Sequence, residues 1–175
     1  GSATTLLAAK MLGINGVGIE LLPVCHLAWD AKSLAFEYSL DELNEALSLI
    51  RATVSGPASR KFPHLVITES AFPPEAENDL MFFTEMFETS SFSAETKTLL
   101  RLVLTGILEE VSYTRKDGQY LRWDSRAEKV KRRNKARASN GRPPIKGMNK
   151  GELPSVKQAL IQALCSITED LEEIH

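Results

Sequence analysis

Residues 1–25 decide the fold that this sequence predicts, and they read GSATTLLAAKMLGINGVGIELLPVC. Small residues lead into a helical pattern that runs from Ala3 to Leu12. Glycines then mark a turn, and residues 16–21 read as a short buried strand with an acid, Glu20, near its end. Pro23 is a typical first residue for the next helix. The stretch therefore predicts an αβ unit in which about 20 residues separate a small-residue turn from a carboxylate.

The rest of the chain is mostly helical in pattern. Apolar residues recur at helical spacing in four further segments, 40–54, 77–87, 94–112 and 154–174. Residues 65–68 are the apolar end of a run that reads as an edge strand or an extended segment. We therefore predict an α/β fold that is mostly helical and has a few short strands.

Shifts in composition divide the chain into four segments. Pro and Gly interrupt a polar, basic stretch that reads as a mobile loop or as an arm that orders on binding. The predicted segments are a partial αβ unit over 1–55, a helical region with one long buried helix over 56–123, the basic flexible loop over 124–151 and a C-terminal helix over 152–175.

The charge of the chain is unevenly distributed. The formal net charge is -2, but residues 115–150 hold 13 Lys and Arg against 3 acids, a local balance of +10, while the remaining residues carry -12. A single positive block on an acidic protein indicates a polyanionic partner. No apolar stretch approaches the roughly 20 residues that cross a bilayer, and the start lacks a signal-peptide pattern. We expect a cytoplasmic protein with no membrane segment and with two reduced cysteines.

Cations and aromatic residues alternate in the most distinctive string, LEEVSYTRKDGQYLRWDSR, residues 108–126. Lys and Arg neutralise phosphates, an aromatic ring stacks on an unpaired or flipped base, and Gln pairs with an adenine edge. The alternative is that the aromatic rings pack on the long helix and the cations are only solvated. The predicted nucleic-acid-binding residues are Tyr113, Arg115, Lys116, Gln119, Tyr120, Arg122, Trp123, Arg132 and Arg133.

On pattern alone, residues 1–25 fit an ordinary αβ unit equally well, but their amino-acid sequence resembles the motif I to motif II stretch of the amino-methylating DNA methyltransferases. In that family an Asp-Pro-Phe strand end and Gly-Ser-Gly-Thr-Thr lead into such a helix, and a Gly-Ile-Glu or Gly-Ile-Asp strand follows. Residues 62–75, FPHLVITESAFPPE, and the string 108–126 resemble the region after motif I in bacterial proteins of this type. The resemblance implies a fragment of a Rossmann-like class I methyltransferase domain, with S-adenosylmethionine as cofactor and DNA as partner.

The same resemblance assigns cofactor-binding residues. Gly1, Ser2, Thr4 and Thr5 would line the methionine and ribose part of the cofactor, Glu20 would hold the ribose, and Leu21 would flank the adenine. Ala3 stands where the family often has its second Gly, and Ala is tolerated at this position if the backbone keeps a negative φ.

The catalytic motif of that family, a polar residue followed by Pro-Pro and an aromatic residue, has no counterpart in this sequence. Pro-Pro occurs at residues 73–74 and 143–144, without the required neighbours, and fits a turn or a helix start. Neither cysteine follows a proline, and the three histidines lack metal-ligand spacing. We therefore predict no catalytic residue and no metal ligand in this chain.

Three functions remain open on this basis. The first is part of a DNA methyltransferase that transfers a methyl group from S-adenosylmethionine to an exocyclic amino group of adenine or cytosine. The second is a non-enzymatic nucleic-acid-binding module that uses residues 115–150. The third, a small-molecule methyltransferase, gains no support from the basic block.

Overall fold

The computed structural model describes residues 3–118 and 120–174. Within them lie seven α-helices and one two-stranded sheet. In chain order the elements are α1 (Thr4–Met11), α2 (Pro23–Ser33), α3 (Leu40–Ala52), α4 (Pro74–Thr89), α5 (Ala94–Gly106), β1 (Thr114–Asp117), β2 (Tyr120–Trp123), α6 (Glu128–Ser139) and α7 (Val156–Glu172). The predicted mostly helical character is confirmed.

The chain divides into two compact units. Unit 1 consists of residues 1–54, 86–106 and 160–175, and in it α2 packs against α1 and α5. Its core is apolar, and α3 shows why the pattern worked, because its helically spaced Leu43, Leu47 and Ile50 are all buried. Ser39 caps α3, since its Oγ accepts the Glu42 backbone N–H at 3.3 Å.

Unit 2 consists of residues 55–85 and 107–159. Phe83 and Val111 are fully buried in it, together with the carboxylate of Asp124. Strands β1 and β2 pair antiparallel in the register Thr114 with Trp123 through Asp117 with Tyr120. The sequence analysis did not predict this hairpin, although glycine is favoured directly after the first strand of a tight hairpin and Gly118 takes a positive φ of 57° there.

The strand predicted over residues 16–21 is wrong. These residues have no regular secondary structure and no described strand pairs with them, and a strand is stable only as part of a ladder. The segment is also not buried, since Val17, Ile19 and Leu21 are 94%, 94% and 91% exposed. The second predicted strand is wrong too, because residues 65–70 form a hydrogen-bonded turn in which Thr68 and Glu69 donate to the Leu65 carbonyl.

The basic segment 124–151 is not a loop throughout, which corrects that part of the prediction. Its first half forms α6, because Glu, Lys, Arg and Ala are good helix formers and Val130 gives the helix a buried contact. The glycines and prolines that suggested a loop all lie after the helix, in residues 140–151, which we call the return segment. The helix predicted over 94–112 also ends earlier, at Gly106. The four predicted segment boundaries stay a prediction.

Candidate cofactor cavity and candidate nucleic-acid interface

A cavity of about 590 Å³ lies in unit 1. Three parts of the chain form it: the start of α1, residues 16–20 and one face of α2. We call it the unit 1 cavity. Its described lining includes Thr4, Thr5, Gly16, Gly18, Glu20, Cys25, His26 and Trp29. The volume lies within the range of small-molecule and cofactor sites, roughly 300–1,000 Å³.

The structure brings together three of the predicted cofactor residues. Thr4 and Thr5, in the first turn of α1, and Glu20 line the unit 1 cavity. Leu21 is not among the described residues of its lining and instead borders a neighbouring depression beside Pro23. The predictions for Gly1 and Ser2 lie outside the residues that the structure describes.

Glu20 lies at the end of residues 16–20, where neighbouring backbone N–H groups fix its carboxylate. Its Oε1 accepts the N–H of Leu21 at 2.8 Å and that of Leu22 at 3.3 Å. The ring Nε2 of His26 lies 2.8 Å from the Glu20 carbonyl oxygen and so ties the segment to α2. A carboxylate held in this way is a suitable acceptor for hydroxyl groups of a ligand.

Ala3 does not meet the condition of a negative φ. Its φ is 60° and its ψ 20°, the left-handed conformation that glycine adopts most readily. Ala3 precedes α1 without making a side-chain cap. Helix α1 begins at the next residue, and the first N–H groups of a helix attract negative charge.

The sequence analysis missed several residues of the unit 1 cavity. Gly16 and Gly18 had been read only as turn or strand residues, but a Cβ at Gly18 would lie 2.5 Å from Leu6 Cδ1. Residues 16–18 therefore lie against the Leu6 side chain of α1. His26 and Trp29 line the cavity because they are three residues apart on one face of α2. That helical spacing was the signal that was available in the sequence.

The hairpin presents the predicted nucleic-acid-binding string at the surface of unit 2. Arg115 is paired directly with Arg122, which brings two exposed guanidinium groups to one face. Like charges in this position are destabilising, and Asp117 offsets them by forming an ion pair with Arg122. Lys116 lies exposed on the other face of β1. The prediction for Gln119 falls outside the described residues.

The three predicted aromatic residues differ in their surroundings. Arg126 lies 5.5 Å from the ring centroid of the half-buried Tyr113, and Lys129 Nζ lies 4.7 Å from that of Trp123. Both contacts have cation–π geometry. Tyr120 is 76% exposed. Of the three rings, that of Tyr120 is thus the most accessible to a base.

The two predicted arginines of α6 lie in different environments. Arg132 is 3.8 Å from Glu69. Arg133 lines a second cavity of about 390 Å³ between β2, α6 and the return segment, which we call the basic groove. Its other lining residues include Arg122, Trp123, Lys129, Lys146 and Met148. Lys129 and Lys146 are residues that the sequence analysis did not single out.

Asp124 anchors the elements around the basic groove. Its carboxylate accepts two hydrogen bonds from the Arg126 guanidinium, at 2.8 and 2.9 Å, and one each from the backbone N–H of Arg126 and of Lys150. The Arg126 side chain, helped by these N–H groups, outweighs burial and holds the pKa of Asp124 well below its ordinary value. Lys150 Nζ donates to the carbonyls of Ser112 and Thr114, so it is used inside the unit.

Among the described residues, no group of three or more His, Cys, Asp or Glu is placed to hold a metal ion. Nor does any helix in that part of the chain have the length and apolar character that crossing a membrane requires.

Comparison with known proteins shows that the chain is homologous to type II DNA methyltransferases. It is 54% identical over 175 residues to the type II methyltransferase M.BsoBI of Geobacillus stearothermophilus, a match that covers 99% of this chain and 34% of that protein. It is 38% identical over 132 residues to M.AvaI of a Nostoc species, which covers 73% of this chain and 27% of that relative. M.AvaI of Anabaena variabilis matches equally well.

The chain thus spans about a third of the length of these relatives. No model of a protein family matches the sequence, and no solved structure matches it either. The names of the relatives favour an enzyme and do not favour the alternative of a non-enzymatic binding module.

Proposed function

We propose that this chain is part of a DNA methyltransferase of a restriction–modification system and supplies its S-adenosylmethionine site. In this proposal a methyl group is transferred to an exocyclic amino group of adenine or cytosine. The observation that carries the proposal is the unit 1 cavity, whose lining includes Thr4, Thr5 and Glu20, three residues to which the resemblance assigns cofactor contacts. The homology to type II methyltransferases supports it independently.

The groups that line the cavity suit this cofactor. The methionine carboxylate of S-adenosylmethionine fits the N–H groups and threonine hydroxyls at the start of α1, where the helix dipole favours an anion. The ribose hydroxyls fit the Glu20 carboxylate. The aromatic side chain of Trp29 and the apolar parts of the lining suit the adenine. When bound, the cofactor supplies an electrophilic methyl group on a sulfonium sulfur.

We further propose that residues 16–22 form one strand of a Rossmann-like sheet. In this chain the Val17, Ile19 and Leu21 side chains are almost fully exposed, an arrangement that is costly for three large apolar residues in water. The relatives are about three times as long as the stretch they share with this chain. In the proposal, neighbouring strands and the catalytic Pro-Pro motif belong to the part of such a protein that this sequence does not include.

Calorimetry with S-adenosylmethionine tests the cofactor site. Because hydrogen bonds to a charged group contribute about 1.5–3 kcal/mol, Glu20→Ala should weaken binding by about tenfold or more. Glu45→Ala is the matched control, since it removes an exposed carboxylate of α3 in the same unit. No heat of binding with the unchanged protein, or equal losses in the two variants, would contradict the proposed site.

Methyl transfer is tested separately, on a form of the protein as long as the relatives. The protein is incubated with duplex DNA and methyl-labelled cofactor, and the DNA is then digested to nucleosides. Label in N-methyladenine or N-methylcytosine supports the proposed reaction, while label on a ring carbon of cytosine, or none, argues against it.

A further inference from the structure

The basic groove has a one-sided charge. Arg122, Lys129, Arg133 and Lys146 line it, and no described residue of its lining is acidic. Two of these cations are already engaged, because Arg122 pairs with Asp117 and Lys129 lies over the Trp123 ring. Arg133 and Lys146 are exposed, and among the described residues neither has a carboxylate within 4.0 Å. The groove therefore presents two cations to an anionic ligand.

Lys146 is held at the groove by a folded backbone. The neighbouring Ile145 donates its N–H to Asn134 Oδ1 at 2.7 Å and accepts the Asn134 Nδ2 at 3.2 Å. On the other side, Met148 donates to the Trp123 carbonyl at 3.0 Å and accepts the Ser125 N–H at 3.0 Å. These bonds fix the return segment on both sides of Lys146. Because the backbone is already ordered, binding of an anion to Lys146 does not cost the full entropy of ordering a loop.

Gly147 makes this approach possible. A Cβ at this position would lie 2.7 Å from the backbone nitrogen of Ser125, too close for any other residue without a shift of the backbone. The return segment can therefore lie directly against the end of β2. The position of Lys146 opposite Arg133 is a consequence of this packing within unit 2.

The other side chains of the groove do not suit the reading of bases. Trp123 cannot offer the ring face that Lys129 covers to a base. The remaining lining residues are apolar or Gly, and the described lining contains no amide or hydroxyl side chain. Arg and Lys bind either phosphate oxygens, which carry no sequence information, or the edge of guanine, so a comparison of two duplexes of unrelated sequence distinguishes the two kinds of contact.

We propose that the basic groove binds the phosphate backbone of DNA through Arg133 and Lys146, as a positioning contact that is independent of sequence. The inference rests on the proposed function, in which DNA is the substrate, and it deepens that function by separating positioning from base reading. Trp123 then acts as a wall of the groove, and not as a stacking platform.

The dependence of DNA affinity on salt tests this inference. Binding of a labelled duplex of mixed sequence is followed by fluorescence anisotropy between 50 and 200 mM salt. Each phosphate contact contributes about 0.9 to the slope of log affinity against log salt, so over this range the affinity of the double variant R133Q/K146Q should fall about twelvefold less than that of the unchanged protein.

Matched variants separate the groove from net charge. K135Q removes the same charge from α6, but Lys135 lies about 200° around the helix from Arg133 and is outside the described lining of the groove. It should change the slope by less than a third of the effect of R133Q. K146R keeps the cation and should keep the slope. Circular dichroism and thermal unfolding confirm that each variant is folded.

Equal slopes for R133Q, K146Q and K135Q would overturn the inference, as would losses that differ between two duplexes of unrelated sequence. Uniform losses that are confined to the groove variants would support it. Failure of the proposed function looks different. If the unchanged protein binds neither duplex DNA nor S-adenosylmethionine, the proposed function is wrong. If methyl transfer is normal but the groove variants leave the salt slope unaltered, only the proposed groove contact is wrong.

Discussion

Replacing Asp124 by Asn should destabilise unit 2 more than the corresponding replacement of any exposed carboxylate in that unit. The side chain is 1% exposed and accepts four hydrogen bonds, two by each oxygen. Asn replaces one carboxylate oxygen by an NH2 group, which is a donor. Two of the four hydrogen bonds are therefore lost, and the new NH2 group faces the N–H groups that made them. Bonds to a charged group contribute about 1.5–3 kcal/mol each, and the partly exposed Arg126 regains water, so we expect a loss of about 3 kcal/mol.

The two tryptophans allow this loss to be measured in one unit. Trp29 belongs to unit 1 and Trp123 to unit 2, so in a Trp29→Phe background the fluorescence reports on unit 2. With a urea dependence of about 2 kcal/mol per M, a loss of 3 kcal/mol lowers the midpoint by about 1.5 M. Asp117→Asn is the control, because it breaks an ion pair that is more than half exposed and should cost about 1 kcal/mol or less.

The pH dependence gives a second measurement of the same contact. The pKa of Asp124 is lowered in the folded state from an ordinary value of 3.8, so its stabilisation is complete above that value and is lost as the pH falls below it. D124N should therefore flatten the acid side of the stability curve. The reasoning is refuted if D124N and D117N shift the urea midpoint equally, or if D124N keeps the full acid sensitivity.

Two further predictions concern unit 1. Because Ala3 has a φ of 60°, A3G should bind S-adenosylmethionine at least as well as the unchanged protein, while A3V should bind about tenfold more weakly; calorimetry that ranks Val equal to Ala would contradict this. Glu42 accepts hydrogen bonds from the Ser93 N–H and the Ser93 and Thr96 hydroxyls, each at 2.6 Å, and these outweigh burial to lower its pKa. E42Q should therefore cost about 1–2 kcal/mol near neutral pH, and the unchanged protein should lose this difference as the pH falls below about 4.5, with Trp29 fluorescence as the probe.

The sequence predicted features that depend on near neighbours. Helices α3 and α5 were predicted because their apolar residues recur within one turn, and burial of Leu43, Leu47 and Leu100 follows from that spacing. Thr4 and Glu20 line one cavity, and the separation of about 20 residues between a small-residue turn and a carboxylate was the signal for assigning both to one site.

Features that depend on distant residues were not predictable in this way. The basic groove depends on Gly147, which has no Cβ and lets the return segment pack on Ser125. No periodic pattern in the sequence predicts this contact. Residues 16–21 failed as a strand for the opposite reason, since their apolar pattern is correct but the ladder that would pair with them is absent among the described residues. Pattern specifies which face a residue prefers, and a partner decides whether the element forms.

The two proposed ligands are matched by the charges of the two units. Unit 1, which contains the unit 1 cavity, has 5 basic and 12 acidic residues, a net charge of -7, whereas unit 2, with the basic groove, has 16 and 11, a net charge of +5. The cofactor carries a sulfonium cation and DNA is a polyanion, so each would meet a unit of opposite sign. The overall charge of -2 conceals this division, because it arises from two fields that nearly cancel. The segregation of charge therefore supports the placement of the two proposed ligands on different units.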